Sequence, residues 1–194
     1  MLENHHIAAA FKLMSENEGN NWAVNMSRED FKRVRQVIIQ TVLTTDMSKH
    51  FVELGSVSSR ISDEDFNPAE AKDKELFIKF MFHLADISNP TKRWSLCRVW
   101  CDLLFVEFFA QGDLEKVHGL PVSQFFDRQT TNIAKSQIGF IDFIIKPAFA
   151  PVLKVFPNLA HLDDACENNK ANWTKVFETY EEELLSGNHQ TEVV

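Results

Sequence analysis

Apolar residues in this chain recur at helical spacing, and no segment sustains the alternation of a half-buried strand. Ile7, Ala10, Phe11 and Met14 form one stripe, predicting a helix from Leu2 to about Ser15, and the polar run Glu16 to Asn21 then reads as a turn. Ser27 followed three residues later by Asp30 is a capping-box-like start. From there Phe31, Val34, Ile38, Val42 and Thr45 carry a helix that is expected to continue through Thr45–His50 towards Leu54. The polar residues 56–65 read as a loop. Asn67-Pro68 predicts the next start, with Asn as cap and Pro at the first helical position. That helix holds the most apolar run, Leu76 to Phe82, and closes on His83-Leu84-Ala85-Asp86-Ile87-Ser88-Asn89-Pro90, where the proline pushes its predecessor out of the α region.

A long helix is predicted from Trp94 to Phe109, and Gln111-Gly112-Asp113 with Gly119-Leu120-Pro121 should bracket a short one. Gln137, Phe140 and Ile144 lie at helical spacing in a segment from about Arg128 to Val155, which Pro147 and Pro151 should kink or end. An acidic helical stretch runs from Leu159 to Leu185, and residues 186–194 are expected to be a disordered tail. The expected fold class is all-α, a multi-helix bundle formed by residues 1–185.

With 194 residues there is room for one domain with a real core, and only six Gly and six Pro favour long helices. The net charge of −8 argues against nonspecific nucleic-acid binding but leaves room for an anionic substrate met by a metal or by local donors. Cys97, Cys101 and Cys166 fit neither a disulfide framework nor a zinc pattern. Without a secretory segment or an apolar run near membrane length, the expected location is cytoplasmic.

Nucleophile elbows, phosphate-binding glycine loops and HExxH helices are absent from the sequence. Candidate chemistry therefore rests on polar residues set into apolar helices: Glu3, His5, His6, Thr45, Asp46, His83, Asp86, Asn89, Glu107 and Gln137. Each alone has a plain structural reading. His5 and His6 suit a surface, Asp46 a local cap, Asp86 an exposed helix end and Glu107 a solvated face, while Gln137 suits a surface, a backbone bond or a core network.

As ordered words they are far more specific. Leu2-Glu3-Asn4-His5-His6, Thr45-Asp46-Met47-Ser48-Lys49-His50, the His83–Pro90 stretch, Glu107-Phe108-Phe109-Ala110-Gln111-Gly112-Asp113 and Ser136-Gln137-Ile138-Gly139-Phe140-Ile141-Asp142 follow one another along the chain. The series, running from Leu2 to about Trp173, closely resembles the catalytic domain of class I cyclic nucleotide phosphodiesterases. The resemblance implies an HD-type helical hydrolase of signal transduction that opens the 3′,5′-cyclic phosphate of cAMP or cGMP with zinc plus magnesium or manganese. By resemblance, Asp86 bridges the metals, Glu3 and Thr45 bond metal-held water, and Glu107 orients the general-acid histidine, with Asp46 a weaker candidate beside them. Gln137 matches the residue that bonds the purine edge, Phe140 the aromatic that stacks on the base, and Leu104 the aliphatic residue opposite. Asn89 and Trp100 are expected near the same pocket.

The chain also departs from the family pattern. His-Asn-x-x-His and His-Asp-x-x-His-Pro-Gly, which precede the Leu-Glu-Asn-His-His word in the family, are absent from this sequence. By resemblance they carry the general acid and three of the four protein ligands to zinc. The expectation is a C-terminal portion of the catalytic domain that is inactive alone, exposes apolar surface and self-associates, with a homodimer possible. A non-catalytic helical module that keeps the nucleotide pocket is the alternative. Preference between cAMP and cGMP is not written in these residues, with a lean towards cAMP or dual specificity.

Overall fold

The computed structural model describes residues 1–186 as helices, turns and loops, with no strand among them. The tail expected over residues 186–194 lies outside the described residues apart from Ser186, which closes the last helix. The chain divides into two compact units, meeting in sequence between Asp86 and Ile87.

The first unit holds α1 (Leu2–Glu16), α2 (Arg28–Thr44), α3 (His50–Ile61) and α4 (Ala71–Asp86). Ser27 caps α2 as its sequence predicts, accepting from the Asp30 amide at 3.0 Å while its hydroxyl donates to the Asp30 carboxylate at 2.7 Å. The expected run of this helix to Leu54 is wrong. Asp46 accepts from both the amide and the hydroxyl of Ser48, at 2.9 and 2.7 Å, and so starts a new 3₁₀ turn in place of another α turn.

The expected loop at 56–65 is wrong for its first six residues, which belong to α3. Its polar side chains hide one fully buried residue, Val57, and one clasp. Arg60 donates from Nε and Nη2 to the buried Asp73 carboxylate at 2.6 and 2.9 Å, and the amide of Asn67 donates to the same carboxylate at 2.9 Å. These bonds hold Asn67-Pro68 in a turn, so α4 starts three residues later than Pro68 predicts. Phe77, Phe80 and Leu84 of α4 bury beside α2 and α3.

The second unit holds α5 (Trp94–Val117), α6 (Ile133–Phe140), α7 (Lys146–Val155) and α8 (His161–Ser186). Gly112 does not break α5 but lies inside it. A Cβ there would meet the Phe126 carbonyl oxygen at 1.9 Å, so glycine is what lets the following loop seat on the helix. The short helix expected between the two glycines is instead the end of α5, and of the two expected breaks only the one at Gly119, which takes a positive φ of 66°, forms. The expected helical segment from about Arg128 to Val155 starts at Ile133 and comprises α6, a π-helical turn at Ile141–Ile145, and α7, which Pro151 does not end as expected. That wide turn leads into Pro147 in the first turn of α7, where a missing amide costs nothing.

Cys97 and Cys101 of α5, Ile141 and Ile145 of the π turn, Cys166 and Trp173 of α8 and Phe105 form the core of this unit. The three cysteines serve here as small packing residues. All are free and buried, and burial pushes the Cys101 and Cys166 thiols up to about 12. Asn169 ties α8 to the start of α5, donating from Nδ2 to the carbonyls of Pro90 and Lys92 at 2.8 and 2.6 Å.

Candidate functional site

In the first unit, the break between α2 and α3 and the end of α4 carry the candidate residues. Thr45 Oγ1 donates back to the Val42 carbonyl at 2.8 Å, ending α2. Asp46 serves as a local cap, and the bonds from Ser48 hold its carboxyl below the usual range. Glu3, half-buried on α1, lies within electrostatic reach of Asp46. His5 and His6 are exposed.

His50 opens α3 and His83 lies in the last turn of α4; both are fully buried, and His50 Nδ1 stands 2.9 Å from His83 Nε2. The outer nitrogens, His50 Nε2 and His83 Nδ1, find no partner among the described residues. Burial lowers both imidazoles from their ordinary value, and the carboxylates of Asp86 and Glu53 act on His83 in the opposite sense. Both rings are therefore neutral near pH 7, one donating to the other. Sequence reasoning had singled out His83 but not His50, whose only signal was its place at the end of the Thr45–His50 word.

Asp86 is exposed at the end of α4. Among the described residues no group of three or more His, Cys, Asp or Glu is placed to hold a metal ion. Stable zinc needs three or four protein ligands. The described residues therefore do not by themselves make a metal centre.

In the second unit, Asn89 Nδ2 donates to the Cys97 carbonyl at 3.2 Å, while its Oδ1 is buried without a partner. Trp100, Leu104 and Glu107 repeat at i, i+4 and i+7 on α5, a face that is exposed together with Leu96, Val99 and Leu103. On α6, Gln137 is only 6% exposed, and its side chain makes no hydrogen bond among the described residues. Phe140 follows one turn later, half-buried.

Helical scaffolds that set single polar groups into apolar faces build sites at their inner surfaces. This fold is the helical catalytic-domain fold of phosphodiesterases: a phosphodiesterase domain from the Salpingoeca rosetta rhodopsin phosphodiesterase superposes with a TM-score of 0.87 at 32% identity, over 95% of this chain and 57% of that one. Residues 1–166 match the family model of the 3′5′-cyclic nucleotide phosphodiesterases, and the chain belongs to that family. It is similar to the dual specificity calcium/calmodulin-dependent 3′,5′-cyclic nucleotide phosphodiesterase 1C of Mus musculus, 43% identical over 149 residues, 77% of this chain and 20% of that protein. The 1B protein of Bos taurus is 42% identical over 155 residues, 80% of this chain and 28% of its own length. The chain thus spans a quarter or so of these relatives and about half of the solved one. Among the described residues no helix is long and apolar enough to cross a membrane.

Proposed function

We propose that residues 1–185 are the nucleotide-facing part of a cytoplasmic catalytic domain that hydrolyses cAMP, cGMP or both to the 5′-nucleotide. The observation that carries this reading is Gln137, a residue only 6% exposed on α6, one turn before Phe140, whose amide makes no hydrogen bond among the described residues. An amide whose donor and acceptor are not taken up inside the protein, set a turn before an aromatic, suits a ligand that pairs with both, as a purine edge does. In this reading Phe140 stacks on the base, Leu104 faces it from the other side, and Asn89 and Trp100 line the pocket. The relatives named dual specificity support action on both nucleotides.

Glu107 orients the general acid, Glu3 and Thr45 hold water, and Asp86 is one ligand of a metal pair, zinc with magnesium or manganese. Its fellow ligands are not assembled among the described residues. The 194-residue chain alone accordingly neither holds the pair nor turns over cyclic nucleotide. Joined to the corresponding upstream segment of a relative, it should hydrolyse cyclic nucleotide, with loss of activity on Asp86→Ala and a raised KM on Gln137→Ala. Metal-dependent hydrolysis by the 194 residues alone, lost on Asp86→Ala, would overturn the assignment of the metal ligands. The lone carboxylate at Asp86 also supports a second reading, a module that binds nucleotide without cleaving it. Nucleotide binding in a joined domain that never turns over would favour that one.

A further inference from the structure

The second unit also holds a cavity of about 680 Å³ between α6 and α8, a volume suited to a small molecule. Its walls are aromatic: Phe125, Phe140, Phe143, Phe177 and Tyr180, with Lys135 the one cation on the lining among the described residues. Phe143 is 74% exposed and Phe125 47%, an unusual outlay of apolar surface on side chains with helix or loop neighbours to pack against. Asn89, Leu104 and Gln137, expected around the purine, are not on this lining, and Phe140 alone is common to both.

The loop that brings Phe125 to the rim is fixed on either side. Glu115 accepts from the Ser123 amide and hydroxyl at 2.7 and 2.8 Å. Phe126 stacks on Phe108 with ring centroids 4.1 Å apart, and its carbonyl sits against Gly112. Arg128 pairs with Asp113 at 2.6 Å and Lys116 with Asp127 at 2.7 Å. Between these anchors Phe125 takes a φ of 72°, the left-handed region that costs a bulky residue most, and no other described non-glycine residue does so. Strain of this kind persists where the surroundings over-determine it, and it collects at ligand clamps. Lys135 enters none of the ion pairs formed by the neighbouring lysines and arginines, and Thr130 and Thr131 lie on the same lining.

We infer that this cavity is a binding site for a planar aromatic molecule carrying an anionic group, with the ring held among Phe125, Phe143, Phe177 and Tyr180 and the anion met by Lys135. Since Phe140 serves both walls, an occupant here holds the ring that the proposed function assigns to the base, so the link to nucleotide binding rests on that reading while the site itself does not.

The test is titration of the 15N-labelled 194-residue chain with 2-naphthalenesulfonate. Saturable amide shifts confined to residues 125–144 and 177–181 are expected, with affinity falling about tenfold in Lys135→Ala, as for loss of one charge-assisted bond. Phe143→Ala should weaken binding similarly, and both side chains are exposed, so neither substitution threatens folding. Glu181→Gln, which removes the one carboxylate on the lining, should not weaken it. Shifts centred on the exposed face of α5, absence of saturation, or an unchanged affinity in both Lys135→Ala and Phe143→Ala would overturn the site. Gln137→Ala separates the two readings: it should leave naphthalenesulfonate binding intact and abolish the shifts caused by cAMP. If cAMP causes none in the parent chain, the base pocket fails while this site stands.

Discussion

His50 Nδ1 and His83 Nε2 lie 2.9 Å apart in full burial, joining the start of α3 to the last turn of α4. The bond needs complementary tautomers, and both rings are held neutral by burial, with pKa values below the ordinary 6.5. An unfolded chain takes up protons on these groups as pH falls through about 6.5, while the folded pair does so only at lower pH. The unfolded state then binds more protons, so stability is full above that value and declines as pH drops below it. The melting temperature should fall between pH 7 and pH 5, and replacing the pair together (His50→Phe with His83→Leu) should flatten that slope. A slope unchanged in the double variant would show that other groups set it.

Gly112→Ala places a methyl group where the Phe126 carbonyl oxygen now lies, 1.9 Å away. Backbone cannot yield as a side-chain tip does, so the loop from Gly119 to Arg128 must lift from α5. The expected loss is about 1–3 kcal/mol in denaturant unfolding, in the range for overpacking. Phe126→Leu should not rescue it, because the obstruction is a main-chain atom.

These two relationships show what the sequence could disclose. Periodicity located the helices because burial of one face is local information, and the boundary at Ser27 was legible because a cap is a three-residue device. The boundaries at Thr45, Pro68 and Gly112 were not. Each depends on a partner distant in sequence or on a competing local bond: Asp46 recruiting Ser48, Asp73 recruiting the Asn67 amide, Phe126 pressing on Gly112. The family was legible from the ordered words and not from single residues, since Asp86 or Gln137 taken singly has an ordinary structural explanation. The His50–His83 bond was out of reach, because 33 residues separate the two rings and only folding pairs them.

Asp73 and Arg60 make a second pH-sensitive contact, in a different window. The guanidinium beside it and the Asn67 amide hold the Asp73 carboxyl below its ordinary 3.8. A depressed carboxylate stabilises above its unfolded value and loses that contribution as pH falls through the folded one, so this loss comes below about pH 4, after the histidine window. Asp73→Asn should lower the melting temperature at pH 7, since it leaves the Arg60 charge without its main partner, and should remove the steepening seen in acid. Acid unfolding curves of the parent and the variant decide this.

The exposed face of α5 carries Leu96, Val99, Trp100 and Leu103 on successive turns. Apolar surface of this continuity draws molecules together. The 194-residue chain should therefore self-associate in the micromolar range, and Val99→Glu with Leu103→Glu should shift it towards monomer in sedimentation. Both side chains are more than half exposed, so stability should change by no more than about 0.5 kcal/mol each. A monomeric parent chain would show that this face is tolerated in water.

Gln137 offers the sharpest separation of stability from function. At 6% exposure most of the residue is packed, while its amide makes no hydrogen bond among the described residues that an apolar replacement would forfeit. Gln137→Leu puts an apolar side chain one atom shorter in place of the amide, so unfolding measurements should find the variant as stable as the parent or more so. Calorimetry of nucleotide binding should run the other way, with affinity for cAMP and cGMP reduced by about tenfold or more as the purine edge loses both its donor and its acceptor. A variant that loses stability would make Gln137 a core residue bonded to its surroundings. One that gains stability and keeps its affinity would leave the purine edge to other residues, with Asn89, whose Oδ1 is buried and unpartnered, next in line.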